Sequence, residues 1–138
     1  MTVLKMAISP MIECDVTFLS PEEGGRQAMP VLSGNVYRPL LVVGDPNQRL
    51  AKVESGVVEV ECADGSHRKI RTDKFLSEEH LAVLFSAGSD LSVFGESAIV
   101  SLGLFSSDNL EKLKPGTTFT IREGSKIVGF GKVRNWLI

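Results

Sequence analysis

The stretch Met11–Leu19 alternates without a break: Ile12, Cys14, Val16 and Phe18 fall on one side, and Glu13, Asp15 and Thr17 on the other. Successive side chains of a strand point to opposite faces, so this pattern specifies a strand with one face on a core and one in water. The rest of the chain reads the same way, as short β-branched or apolar runs cut by turn residues. Ser20-Pro21-Glu22-Glu23-Gly24-Gly25-Arg26 ends the first run, because proline cannot donate to a ladder and paired glycines permit positive φ. Tyr37–Val43 is extended, with Pro39 near its start where a sheet tolerates it, and Gly44-Asp45-Pro46-Asn47 turns the chain. Val57, Val58 and Val60 lead through the hairpin signal Asp64-Gly65 into 67–72.

Ser77, Glu78 and Glu79 look like a helix cap with acids in the first turn, and Leu81, Leu84 and Phe85 have helical spacing, so one short helix is expected there, with a strand as the other reading of that apolar run. Ala98–Phe105 is strand-like, and Asp108–Lys114 is a polar segment closed by Pro115-Gly116. Thr117–Arg122, a turn over Glu123-Gly124-Ser125 and Lys126–Phe130 form a hairpin, after which Gly129 and Gly131 bracket a bend and Val133–Leu137 continues extended. Many short strands with almost no helix imply an all-β fold, a small closed barrel or a sandwich.

With 138 residues there is room for one domain, 1–138, and 43% hydrophobic residues supply a core. Fifteen basic against seventeen acidic residues give a net charge of −2, which removes the polycationic signature of a protein that coats nucleic acid. No stretch approaches about 18 uninterrupted apolar residues, and Met1–Met11 carries Lys5 and Pro10 rather than a signal-type apolar run, so a cytoplasmic protein with no membrane partner is expected. Cys14 and Cys62 are too few for a disulfide scaffold and read as two free core thiols in preference to one bridge. His67 and His80 stand at no metal-ligand spacing and lie in polar stretches that suit the surface, which leaves no expected metal site and no base for a serine nucleophile. Nothing fits G-x-x-x-x-G-K-[ST], and Gly24-Gly25 behind Glu22-Glu23 is a turn rather than a phosphate cradle, so neither nucleotide nor any other cofactor is expected and the chain reads as no enzyme.

Two stretches carry a family resemblance. Phe18-Leu19-Ser20-Pro21-Glu22-Glu23-Gly24-Gly25-Arg26, with Pro30 and Tyr37-Arg38-Pro39 downstream, resembles the opening of the third, C-terminal domain of elongation factor Tu. The run from Phe119 to Gly131, FTIREGSKIVGFG, resembles that domain's final hairpin, in the same order and at the same end. The resemblance implies a closed, six-stranded antiparallel barrel of Greek-key type. It covers roughly residues 10–138 and is uneven: Gln27-Ala28-Met29 and Ser33-Gly34-Asn35-Val36 lengthen two loops, and residues 63–95 match poorly, as a divergent insertion that would hold the short helix.

The resemblance also implies function. The family's third domain touches the stem of aminoacyl-tRNA and presents faces to its own GTPase domain and to exchange factors. A protein-binding module acting on a translation factor or on its own copy, as in a homodimer, is therefore the favoured expectation. An RNA-binding module and an immunity-type mimic of the factor are the alternatives. For RNA the candidate contacts are Arg26, in the matching loop, and the basic cluster Arg68, Lys69, Arg71 and Lys74, where Phe75 is the one aromatic near enough to stack and tRNA binding is expected to be weak. For a protein interface the candidates are Met29, Val31 and Leu32 beside the altered loop and Trp136, Leu137 and Ile138 at the terminus, with Trp136 as the anchor.

Overall fold

The computed structural model describes residues 10–62, 64–76, 79–89, 92–124 and 126–137. The expected helix cap at Ser77 and Glu78, the turn residue Ser125 and the candidate interface residue Ile138 lie outside them. Six strands close into an antiparallel barrel: β1 (Met11–Phe18), β2 (Leu40–Val43), β6 (Leu81–Ala87), β7 (Ala98–Leu104), β8 (Thr118–Glu123) and β9 (Lys126–Trp136), in the order β1-β7-β6-β2-β8-β9. Between β2 and β6, which are neighbours in the wall, the chain leaves the barrel. It builds a separate sheet in the order β3-β4-β5, from β3 (Arg49–Glu54), β4 (Val57–Glu61) and β5 (His67–Arg71), followed by one turn of helix, α1 (Thr72–Leu76).

The barrel follows from alternation. Ile12, Cys14, Val16 and Phe18 of β1 all point inward and are buried, and they meet Leu41, Val83, Phe85, Val100, Leu102, Phe119, Ile121 and Val133 in one continuous cluster. β1 closes the barrel by pairing with both β7 and β9, with Cys14 opposite Val100 on one side and Val133 on the other. Closure removes the free edges that would otherwise invite pairing with another chain. Pro39 sits where expected: it cannot donate, but its carbonyl and that of Tyr37 accept the amides of Val83 and Phe85, which extends the β2–β6 contact beyond the regular strand.

Three expectations are corrected. Leu81–Phe85 is strand β6 and not a helix: Leu81, Val83 and Phe85 are buried in period two, and the short helix lies upstream at Thr72–Leu76. The 63–95 segment is not one inserted unit, since the excursion occupies the connection from Val43 to Leu81, while 81–87 is barrel wall. Gly129 and Gly131 do not bracket a bend; β9 runs unbroken from Lys126 to Trp136. Those glycines are required because a Cβ would run into the carbonyl of Thr17 at one and of Asp15 at the other, so β1 and β9 approach too closely for a side chain.

The excursion is roofed onto the barrel wall. Val58 and Val60 of β4 and Phe75 of α1 form its own small buried cluster, with Ile70 alongside. On β8, Phe119 and Ile121 point into the barrel, while Thr120 and Arg122 belong to the other side of the strand and are nevertheless buried. Arg122, at 0% exposure, has its guanidinium 4.5 Å above the Phe75 ring and donates from Nε to Thr120 Oγ1 at 3.1 Å. At the other side Arg49 stacks 4.9 Å over Phe130 of β9 and donates to the Pro46 and Gln48 carbonyls. Two cation–π contacts thus tie the small sheet to the β8–β9 wall.

Candidate interaction surfaces

The two ends of the barrel differ. At one end Phe18, Tyr37 and Phe85 pack as a tilted triad with centroids 5.1–6.0 Å apart, an edge-to-face geometry that aromatic rings prefer. The loop after β1 brings Arg26 over the Tyr37 ring at 5.0 Å and into an ion pair with Glu123 of β8, while the Tyr37 hydroxyl donates to the same Glu123 Oε2 at 2.5 Å. Burial, and then the Glu123 carboxylate, push the Tyr37 hydroxyl well above its ordinary value. Partial burial lowers Arg26, but its hydrogen bond and charge pairing with Glu123 outweigh that and hold the guanidinium charged. Arg26 therefore fastens the long loop to the β8–β9 hairpin, with Nε donating to the Ala28 carbonyl and Nη1 to Glu123.

The opposite end carries exposed apolar side chains. Strand β1 begins there between the ends of β7 and β9: the Leu104 amide donates to Pro10 O, and the Leu137 amide to Met11 O. Phe105 follows Leu104 at 59% exposure, and Trp136, opposite Ile12, and Leu137, bonded to Met11, are 37% and 44% exposed. Trp136 is held, not loose, because its Nε1 donates to the Leu113 carbonyl at 2.8 Å, and Leu113 itself plugs the core. A large ring with one polar handle satisfied and its apolar flank open is the arrangement that suits an interface anchor.

The expected interface set does not assemble as one surface. Leu32 is 1% exposed and belongs to the barrel core, because the loop after Pro30 turns it inward. Met29 is half-buried against that core, and Val31 is exposed. The loop carrying them is tied to β6 by the bonds of Gly34 and Asn35 to Ser86 and Phe85, at the barrel end away from Trp136. Phe105 was not singled out in the sequence, where it reads as the last residue of an apolar strand; its exposure comes from lying one residue past the final ladder pair.

The basic cluster maps to strand β5 and α1. His67, Arg68, Lys69, Arg71 and Lys74 are all exposed. Carboxylates accompany them: His67 Nδ1 lies 2.5 Å from Glu59 and Nε2 3.5 Å from Glu61, Lys69 stands directly opposite Glu59, and Arg71 pairs with Asp73 at 2.7 Å. Phe75, the expected stacking ring, is fully buried under Arg122 and presents no face to a base. The outward face of the small sheet thus alternates acid and base, which weakens its field toward phosphate.

Both cysteines are free; Cys14 is in the core, but Cys62 is half-buried at the end of β4 rather than a core thiol. Burial, then the neighbouring Asp15 and Glu13 charges, push the Cys14 thiol up to about 12, which leaves it protonated and unreactive. One groove of about 110 Å³ lies on the small sheet among Glu54, Val57, Glu59 and Lys69, and another of about 230 Å³ lies beside Pro46 and Phe130. Both are below the roughly 300–1,000 Å³ typical of small-molecule and cofactor sites. Among the described residues no three of His, Cys, Asp and Glu converge on a point, and no helix is long and apolar enough to cross a membrane. Comparison of the sequence with models of known families and with characterised proteins finds no match.

Proposed function

We propose that this chain is a non-catalytic binding module of the elongation factor Tu third-domain type, which works by contact with another protein: a translation factor or a second copy of itself. The observation that carries the reading is the group Phe105, Trp136 and Leu137, exposed around the start of β1 at one barrel end. An aromatic anchor held by its own hydrogen bond, as Trp136 is by the Leu113 carbonyl, costs little entropy to dock. The resemblance of Phe18–Arg26 and Phe119–Gly131 supplies the kind of partner, since that domain type packs on a GTPase domain and on exchange factors. The pairing of Arg26 with Glu123, and of Arg71 with Asp73, favours a protein over RNA.

The test is titration with an elongation factor GTPase domain, its exchange factor and aminoacyl-tRNA, alongside light scattering across a dilution series. Binding to one of the proteins, or a concentration-dependent dimer, is expected, and Phe105→Ser and Trp136→Ala should each weaken it. A monomer that binds neither protein would contradict the reading. Tight aminoacyl-tRNA binding that survives added salt and disappears in Arg26→Ala would replace it with the RNA alternative. Calorimetry with GTP and magnesium should show no heat of binding; micromolar affinity would overturn the non-catalytic assignment.

A further inference from the structure

Strand β5 is the outer strand of the small sheet, and the ladder fixes which of its backbone groups are used. Residues paired across β4 and β5 are Glu61 with His67, Val60 with Arg68, Glu59 with Lys69, Val58 with Ile70 and Val57 with Arg71. The Cys62 amide donates to Ser66 O at 2.8 Å and the Thr72 amide to Gly56 O at 3.0 Å, so these two flanking pairs are hydrogen-bonded ones. Antiparallel pairs alternate between bonded and non-bonded. Arg68 and Ile70 therefore exchange bonds with β4, whereas the N–H and C=O of His67, Lys69 and Arg71 point away from the sheet. As the residue before α1, Arg71 gives its carbonyl to the first intrahelical bond, which leaves the Arg71 N–H and both backbone groups of His67 and Lys69 for an outside partner, and all three side chains are exposed.

The charge at that edge selects the occupant. A second copy pairing antiparallel through β5 about its centre would set Lys69 against Lys69, and like charges directly opposite destabilise a ladder. The edge is thus guarded against itself. Along β5 and into α1 run Arg68, Lys69, Arg71 and Lys74 with Asp73 as the one acid. Neither Arg68 nor Lys69 makes an ion pair among the described residues, and they lie on opposite faces of the strand, so an incoming strand meets one cation on each face. RNA fits less well, since Phe75 is covered and offers no ring for a base to stack on.

We infer that the outer edge of β5 accepts an extended acidic segment of a partner protein as a fourth strand, bonded to the backbone of His67, Lys69 and Arg71 and matched by Arg68 and Lys69. This goes beyond the barrel-end reading, uses a different element, and stands or falls separately from it.

The probe is a synthetic peptide alternating Glu and Val, compared with its Lys–Val counterpart and with a version N-methylated at alternate residues, each titrated into the intact protein. The acidic peptide should bind and weaken with salt, and the Lys–Val peptide should not bind. Two protein variants locate the site. Lys69→Pro removes an outward donor without taking a bond from the β4 ladder, and Arg68→Glu/Lys69→Glu reverses the charge; each should weaken binding by about tenfold or more, as loss of paired backbone bonds or charges implies. If Lys69→Pro disturbs the small sheet, judged by its amide spectrum, the N-methylated peptide gives the same readout on the unaltered protein and should bind about tenfold more weakly. Trp136→Ala should leave the peptide affinity unchanged. No binding of the acidic peptide would overturn the inference, as would equal binding of its N-methylated form, which would mean attraction without strand addition. A mixed-sequence single-stranded RNA that binds more tightly than the peptide and is lost in the charge reversal would make the edge an RNA contact instead.

Discussion

The barrel and the small sheet are built from the same kind of short strand, yet they solve opposite problems. Among the described residues the barrel buries seventeen side chains in one cluster and closes on itself, whereas those of the small sheet's core are Val58, Val60 and Phe75, with β3 and β5 left as edges. A three-stranded sheet needs an apolar face packed against another element to be stable in water. Arg122 and Arg49 join this one to the barrel wall through their contacts with Phe75 and Phe130. The contrast is between a closed unit with no free edge and an open one that keeps unused backbone groups along β5.

The largest effect should come from breaking the barrel. Phe18→Ala removes a fully buried ring from both the core and the aromatic triad and should cost about 3–5 kcal/mol in denaturant melts. A small effect would mean that β1 is not part of the wall. Phe75→Ala deletes an equally buried ring from the small sheet, but its cost to global unfolding is bounded by the free energy of opening that sheet alone, so it should shift the melt less while freeing the amides of β4 and β5. Equal shifts from the two substitutions would show a single cooperative unit and erase the distinction.

A smaller, pH-dependent effect sharpens the same contrast. The folded Cys14 thiol is raised from its ordinary 9.0 to about 12, so the native state holds its proton where the unfolded chain releases it. Its contribution to stability is complete below pH 9 and is lost progressively as pH rises toward 12. Cys14→Ala should flatten the fall in stability across that window. Thiol reagents should label Cys62 in the folded protein and reach Cys14 only on unfolding. Least of all, Glu13→Ala, on the outer face of the same strand and paired with Arg134 at the surface, should change stability by about 0.5 kcal/mol or less.

The barrel was legible where period two was clean. Met11–Phe18 and the Thr118–Glu123/Lys126–Trp136 hairpin announce themselves, and the resemblance at both ends implied closure. β3 was missed because its register shifts between Leu50 and Lys52, which breaks the alternation that marks a strand. β6 was misread because Ala82 and Leu84, between its inward Leu81, Val83 and Phe85, are also apolar, and an acidic stretch before it mimicked a helix cap. The sites were less legible for a different reason. Whether Arg26 faces solvent or Glu123, whether Leu32 is a surface or a plug, and whether Arg122 lies on an outer wall or under a roof all depend on contacts between segments far apart in sequence. The alternation of Thr118, Thr120 and Arg122 places them outside the barrel, and nothing local says that a second sheet covers them.

Native-state hydrogen exchange on the intact protein tests the two-unit account most directly. The amides of Val83, Leu102 and Ile121 in the barrel wall should exchange only through global unfolding, while those of Val58, Val60 and Ile70 should exchange through a separate, lower-energy opening that is nearly insensitive to dilute denaturant. Exchange of both groups at one common free energy with one denaturant dependence would contradict it.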